Sequence, residues 1–340
     1  MDHRSGRVRR VFVFLLAAFA AAGIASSQPS SGTPIKAAEE LIGQKRYAEA
    51  QRILEEMLER TQEIPAEGYY QLAVCHARQG RSRIADQTLD AALKIERDYL
   101  PALHLKAFIE FSAGRYQGAI EWADQYLKKQ PGGGETRKIA GLARFMLGDK
   151  VGAERDLKQS AILLPKDFDA QYYLGRVYFE RSKLTPALES FRGAIALRPH
   201  SVKAYNYLGE TLEGLTRFDE AKGAYQKAIE IEQQSTERSE WPYYNLGELL
   251  LSEGDVSGAI ALLEQALKRN PASVQTRTKL GAALSAASRL DDATEQLRVA
   301  VQEEPGNPDA HFQLGRVLMK LGKVEEAREH LSQFERLREP

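Results

Sequence analysis

The sequence predicts an all-α solenoid of about nine helix–turn–helix units, and three observations carry that prediction. The first is self-similarity with a period of 34 residues, clearest in Phe168–Ser201, FDAQYYLGRVYFERSKLTPALESFRGAIALRPHS. With Phe168 as position one, the copies are 31–64, 66–99, 100–133, 134–167, 168–201, 202–235, 240–273, 274–307 and 308–340. The second is a pair of small-residue positions. Position twenty is alanine in every copy (Ala50, Ala85, Ala119, Ala153, Ala187, Ala221, Ala259, Ala293, Ala327). Position eight is alanine or glycine in every copy (Ala38, Ala73, Ala107, Gly141, Gly175, Gly209, Gly247, Gly281, Gly315). Small side chains there let two helix axes approach, and a larger one overpacks by about 1–3 kcal/mol. The third is the placing of the breakers. Gly80, Gly114, Gly148, Gly254 and Gly322 stand at position fifteen, where a left-handed residue ends the first helix, with Ser or Thr there in three further copies. Pro131, Pro165, Pro199, Pro271 and Pro305 stand at position thirty-two and stop the second.

Each segment follows in order. Arg4, Arg7, Arg9 and Arg10 precede the apolar run Val11–Ala25, and small residues follow, which resembles a secretory signal peptide over residues 1–27. The run is shorter than the ~20 residues a spanning helix needs, and an uncleaved membrane anchor is the alternative. Arg9-Arg10-Val11-Phe12 partly resembles a twin-arginine signal, but nothing downstream asks for a cofactor loaded before export. No cysteine lies near the cleavage region, against a lipoprotein. Residues 28–33 read as a linker. Copy 31–64 has a short first helix, Pro34–Gly43, and reads as a degenerate cap; 66–340 holds the eight further units. Pro34, Pro101, Pro186 and Pro308 fall in first turns, where a missing N–H costs little. Lys106 and Ala140 replace the usual leucine at position seven. Thr236–Ser239 is an insertion between the sixth and seventh units, read as a longer connection. Position twenty-eight is apolar until the last unit, where Glu335 suits an uncovered final helix.

Leu174-Gly175-x-x-Tyr178, then Ala187-x-x-x-Phe191, then Pro199 resembles the tetratricopeptide repeat, and the resemblance extends over about 31–340. It implies a right-handed superhelix and a binding role, in which positions two, five, nine, twelve and thirteen of the first helices line a groove. Those positions supply His104, Phe108, Phe111, Lys138, Leu142 and Phe145 in the third and fourth units, and Tyr172, Arg176, Phe179 and Glu180 in the fifth. The sixth and seventh supply Asn206, Glu210, Glu213, Trp241, Tyr244 and Glu248. Phe111, Phe145 and Phe179 recur every 34 residues. They form either an aromatic rail for an extended peptide or partner helix, with Glu210, Glu213 and Glu248 beside it, or packing between neighbouring first helices. Aromatic stripes at helical spacing more often pack than recognise, which favours the second reading. The Lys/Asn clamp with which some members hold a C-terminal carboxylate does not carry over, since positions five and nine read His104/Phe108, Lys138/Leu142, Tyr172/Arg176 and Asn206/Glu210.

Other chemistry finds little footing. Lys+Arg and Asp+Glu are 47 each, and without residues 1–27 they are 43 and 46, a net charge of −3 that gives no general attraction to nucleic acid. Cys75, the single cysteine, excludes an intramolecular disulfide and reads as a small buried residue. The six histidines show no metal-ligand spacing within a helix. Gly132-Gly133-Gly134 lacks the preceding strand and following Lys-Ser/Thr of a phosphate loop, and no Gly-x-Ser-x-Gly occurs. The expectation is a non-enzymatic, cofactor-free scaffold, exported (periplasmic or secreted if bacterial), that binds a protein or peptide partner. A membrane-anchored adaptor and a glycan or small-ligand groove are the alternatives.

Overall fold

In the computed structural model, residues 33–236 and 238–338 are described; the expected signal peptide and most of the linker lie outside them. The described residues form eighteen α-helices and no strand. They group into two compact units that divide after Pro165.

The first unit holds α1 (Pro34–Gly43), α2 (Tyr47–Thr61), α3 (Ala66–Arg78), α4 (Ser82–Ile95), α5 (Leu100–Ser112), α6 (Tyr116–Lys129), α7 (Gly134–Met146) and α8 (Lys150–Leu163). The second holds α9 (Phe168–Glu180), α10 (Leu184–Leu197), α11 (Val202–Gly214), α12 (Phe218–Gln233), α13 (Trp241–Glu253), α14 (Val256–Arg269), α15 (Val274–Ala286), α16 (Leu290–Glu303), α17 (Pro308–Lys320) and α18 (Val324–Arg338). Within each unit, consecutive helices pair as hairpins and each hairpin packs on the next.

One turn is used throughout. Position fifteen has positive φ in all nine copies: Lys45, Gly80, Gly114, Gly148, Ser182, Thr216, Gly254, Ser288 and Gly322. The N–H of position sixteen then bonds back to the carbonyl of position eleven, as in Arg81 to His76, Lys183 to Tyr178 and Lys323 to Leu318, each at 2.9 Å. This six-to-one bond satisfies a carbonyl that the end of the first helix would leave open. Where glycine is missing, a serine, threonine or lysine holds the left-handed conformation at a cost of about 1–2 kcal/mol. Side chains close several helix starts from the other end: Asp149 accepts from Gly152 N at 2.8 Å, Asp167 from Ala170 N at 2.7 Å and Asn307 from Ala310 N at 3.0 Å.

The small positions do what the pattern demands. All nine position-twenty alanines have zero exposure. Position eight faces position twenty-four of its own repeat: a β-carbon built on Gly141, Gly175 or Gly315 would stand 2.7–2.8 Å from the side chain of Leu157, Phe191 or Leu331. Cys75 is buried beside Ala38, Ala50 and Leu54, and burial pushes its thiol up to about 12, which leaves it unreactive.

Two departures in the sequence have structural reasons. Lys106 is buried, yet its Nζ reaches Asp86 and Asp90 of α4, each at 2.8 Å, and stands 5.0 Å from the centre of the Trp122 ring. An ion triad thus replaces the usual leucine. The insertion at 236–239 falls in the connection between α12 and α13, and the helix before it is also longer. No proline stands at position thirty-two of that repeat, and α12 runs on to Gln233. Its buried Glu232 accepts from Tyr243 Oη at 2.8 Å and meets Arg269 at 3.3 Å and Arg238 at 3.4 Å. The Arg269 guanidinium lies 3.9 Å from the centre of the Tyr243 ring. The carboxylate thus joins α12 to Tyr243 of α13 and Arg269 of α14.

Candidate functional site

The expected groove residues fall in both units. In the first, they are mostly interior. Phe108, Phe111 and Phe145 are 6%, 5% and 8% exposed, and Phe111 packs on Tyr116 with ring centres 5.6 Å apart. The idea of Phe111 and Phe145 as an open rail is therefore corrected: their faces are spent on packing. Lys138 is 2% exposed and paired with Glu135 at 2.9 Å. His104 Nδ1 lies 2.7 Å from Thr136 Oγ1. Burial, then the Lys138 charge, pushes the His104 imidazole down to about 4, so it is neutral at physiological pH.

The second unit offers a more open polar face. Tyr172 and Tyr244 are buried, whereas Arg176, Phe179, Glu210, Glu213 and Glu248 are partly exposed. Their placing follows a rule not anticipated from sequence: position six of one repeat docks on positions five and nine of the repeat before it. Tyr207 (position six) stands with its ring centre 5.9 Å from that of Tyr172 and 5.3 Å from the Arg176 guanidinium. Phe179 adds an edge contact to the same Tyr207 ring at 6.1 Å. One repeat on, Asn245 donates to Asn206 Oδ1 at 3.1 Å and to Glu210 Oε1 at 3.2 Å, and Asn206 donates to the same carboxylate at 2.6 Å. In the next, Lys279 reaches Glu248 at 2.5 Å, while Gln275 donates to Tyr244 Oη at 3.0 Å. Spacing alone marks position six as turned off the groove stripe, so the sequence does not single it out.

The electrostatics follow from burial. Glu210 is pushed up to about 7, by burial first and by Glu213; the two amides and Arg176 oppose the shift. Glu213 is also raised, by burial and by Glu248, while the hydrogen bond from Tyr225 Oη acts the other way. Glu210 thus changes charge near neutrality and can present either an acceptor or a donor to whatever lies over it. The arrangement suits holding polar groups of both signs at fixed places. Among the described residues no group of three or more His, Cys, Asp or Glu is placed to hold a metal, and no helix is long and apolar enough to cross a membrane.

Comparison with known proteins agrees with the architecture. The chain is 30% identical over 153 residues to the BBSome complex member BBS4 of Xenopus tropicalis, covering 41% of this chain and 28% of the relative. It is 22% identical over 253 residues to the protein CTR9 homolog of Arabidopsis thaliana, covering 62% and 23%. A peroxisomal targeting signal receptor from Eremothecium gossypii is 26% identical over 143 residues, covering 42% and 25%. The matches span 23–28% of these three curated relatives' own length. Among solved structures, the C-terminal part of a TPR repeat-containing protein from Cytophaga hutchinsonii superposes with a TM-score of 0.58 at 17% identity, covering 72% of this chain and 99% of that one. The Cut9–Hcn1 hetero-tetramer of the APC/C gives 0.55 at 16% identity, covering 86% and 56%. Both likenesses concern the fold. Four family models, each described as tetratricopeptide repeat, match residues 66–99, 140–201 with 244–308, 201–272 and 284–334. The chain carries tetratricopeptide repeats.

Proposed function

We propose that the chain is a non-enzymatic protein–protein interaction scaffold that takes a protein or peptide partner on the first-helix face of its second unit. The observation that carries this reading is how that face is finished. Arg176 is held against the Tyr173 and Tyr207 rings, Glu210 is held by two amides, and Glu248 is held by Lys279. Polar groups fixed in advance on rigid helices lose little freedom when a partner arrives, so more of the contact energy appears as affinity. Relatives named as a complex member and as a targeting-signal receptor support a role in protein recognition.

The test is crosslinked capture by the full chain, with wild type compared with the double variant Arg176→Glu, Glu248→Lys. Wild type is expected to capture a discrete protein, and the variant to lose it while its helical circular dichroism stays intact. Equal capture by both, or recovery of a bound small molecule in place of a protein, overturns the reading. Export is a separate part of the proposal and rests on the basic and apolar pattern of residues 1–27. A mature chain whose mass begins near Ser26 or Gln28 supports a periplasmic or secreted scaffold; an intact N-terminus makes it a membrane-anchored adaptor instead.

A further inference from the structure

The last hairpin carries a stack of four side chains. In the interior of the second unit, positions five and nine are covered from the next repeat, as Tyr172 and Arg176 are by Tyr207. In α17 those positions are Phe312 and Arg316, and no later repeat covers them among the described residues. Phe334 of α18 meets the Phe312 ring instead. It stands at position twenty-seven, where Ala92, Ala194, Ala228, Ala266 and Ala300 have zero exposure in other copies. The Phe312 and Phe334 ring centres are 4.9 Å apart, with their planes tilted by 39°. An arginine is set on each ring. The Arg316 guanidinium carbon lies 5.5 Å from the Phe312 centre, and that of Arg338 lies 5.2 Å from the Phe334 centre.

Covering an open hairpin accounts for the two rings, but not for the two cations. Both arginines are exposed, and neither meets a carboxylate among the described residues. Two carboxylates of α18 pair with other arginines, Glu325 with Arg328 at 2.8 Å and Glu326 with Arg298 at 2.5 Å. A ring beside a guanidinium shields one side of it from water and leaves its N–H fork to donate to a carboxylate as a bidentate pair. The three gaps along the stack place the two forks within the span of about five residues of extended chain. Met319 is 48% exposed and one turn on from Arg316, and it adds an apolar contact on the same face. This spacing fits a segment with at least two carboxylates better than a small anion. A second copy stacked end to end fits poorly, because position six of its first repeat is Lys36, which would meet Arg316 with like charge.

We propose that the Arg316–Phe312–Phe334–Arg338 stack is a docking surface for an acidic peptide segment of a partner protein, whose carboxylates pair with the two guanidinium forks. The surface stands apart from the Arg176–Glu248 face and is tested with a different probe, so either can fail alone.

Fluorescence anisotropy of the full chain with a labelled hexaglutamate peptide tests this. Wild type is expected to bind at low ionic strength and to lose affinity as salt rises. Arg316→Gln with Arg338→Gln is expected to weaken binding about tenfold, whereas Arg328→Gln with Arg336→Gln, of the same net charge, should leave it within about twofold. No binding by wild type, or an equal loss in the two double variants, overturns the proposal. Binding of phosphatidylserine vesicles without binding of the peptide overturns it as well, as does a dimer in sedimentation that Arg316→Gln with Arg338→Gln dissolves. Side-chain NMR of the wild-type chain decides without any variant. The peptide is expected to shift the Arg316 and Arg338 Nε–H signals together with the Phe312 and Phe334 ring signals; shifts confined to other residues refute the docking surface.

Discussion

Gly175 gives the sharpest test of the packing argument. A β-carbon there would stand 2.7 Å from Phe191 Cε1 and 2.8 Å from Cδ1, about 1 Å inside normal carbon–carbon contact. The ring has nowhere to turn, since it is stacked on Tyr207 at 5.6 Å and edge-on to Tyr172 at 6.1 Å. Gly175→Ala gains about 1 kcal/mol of helix propensity and loses about 1–3 kcal/mol to overpacking, a net loss of about 1 kcal/mol. Gly247 occupies the same position, but its β-carbon would meet Leu263 Cγ at 3.1 Å, a softer contact with a flexible side chain. Gly247→Ala is therefore expected to be neutral, or more stable by up to about 1 kcal/mol. A repeat array need not unfold in one step, so urea unfolding should be read with amide protection in α9–α10 against α13–α14. If Gly247→Ala loses as much as Gly175→Ala, the close-approach reasoning is wrong.

Other perturbations follow from the same geometry. Thr216 is β-branched and held at φ 59°, so Thr216→Gly is expected to raise stability by about 1 kcal/mol; Gly254, at φ 90°, should lose about 1–2 kcal/mol on change to alanine. Changes of the same sign in the two urea midpoints would contradict the turn assignment. Folded Glu210 keeps its proton up to about pH 7, whereas the free carboxyl gives it up near 4.5. The stabilisation tied to the protonated form is thus complete below that lower value and lost as pH rises through about 7. Melting of wild type should fall between about pH 5 and about pH 7 more than that of Glu210→Gln, and parallel curves would remove the assignment. Lys106→Leu and Lys106→Ala both take the cation from Asp86 and Asp90, whose side chains are 26% and 54% exposed and open to water, but only Lys106→Ala also leaves space under Trp122, and it should lose about 1–3 kcal/mol more than Lys106→Leu. Equal losses in thermal melts would show that the ion triad is irreplaceable by packing.

The hairpins were legible because each depends on local rules. The positive φ at Ser182, Thr216 and Ser288 could be read from glycine at the matching positions of other copies. What was hidden depends on contacts between copies. Nothing in the period says that Asn245 will reach back to Asn206 and Glu210, or that burial will lift that carboxyl toward neutrality. Phe111 and Phe145 look alike as recognition or packing until their burial is known. The longer connection at 236–239 could be read from the break in the period, but the burial of Glu232 under Arg269 and Tyr243 needed the fold. His311 and His330 sit on different helices, and spacing within one helix could not pair them.

The back-reaching side chain at position six also gives the repeats an order. Tyr207 suits a neighbour carrying Tyr172 and Arg176, Asn245 one carrying Asn206 and Glu210, and Lys279 one carrying Glu248. Excising residues 202–239 would set Asn245 against Arg176, an amide in place of the ring that now lies beside that guanidinium. Excising 240–273 would set Lys279 against Glu210 and keep an opposite-charge pair. The hairpins share one backbone plan, yet they are not interchangeable parts: each junction has diverged as a matched couple, and the sequence of couples fixes which deletions or duplications the second unit can absorb.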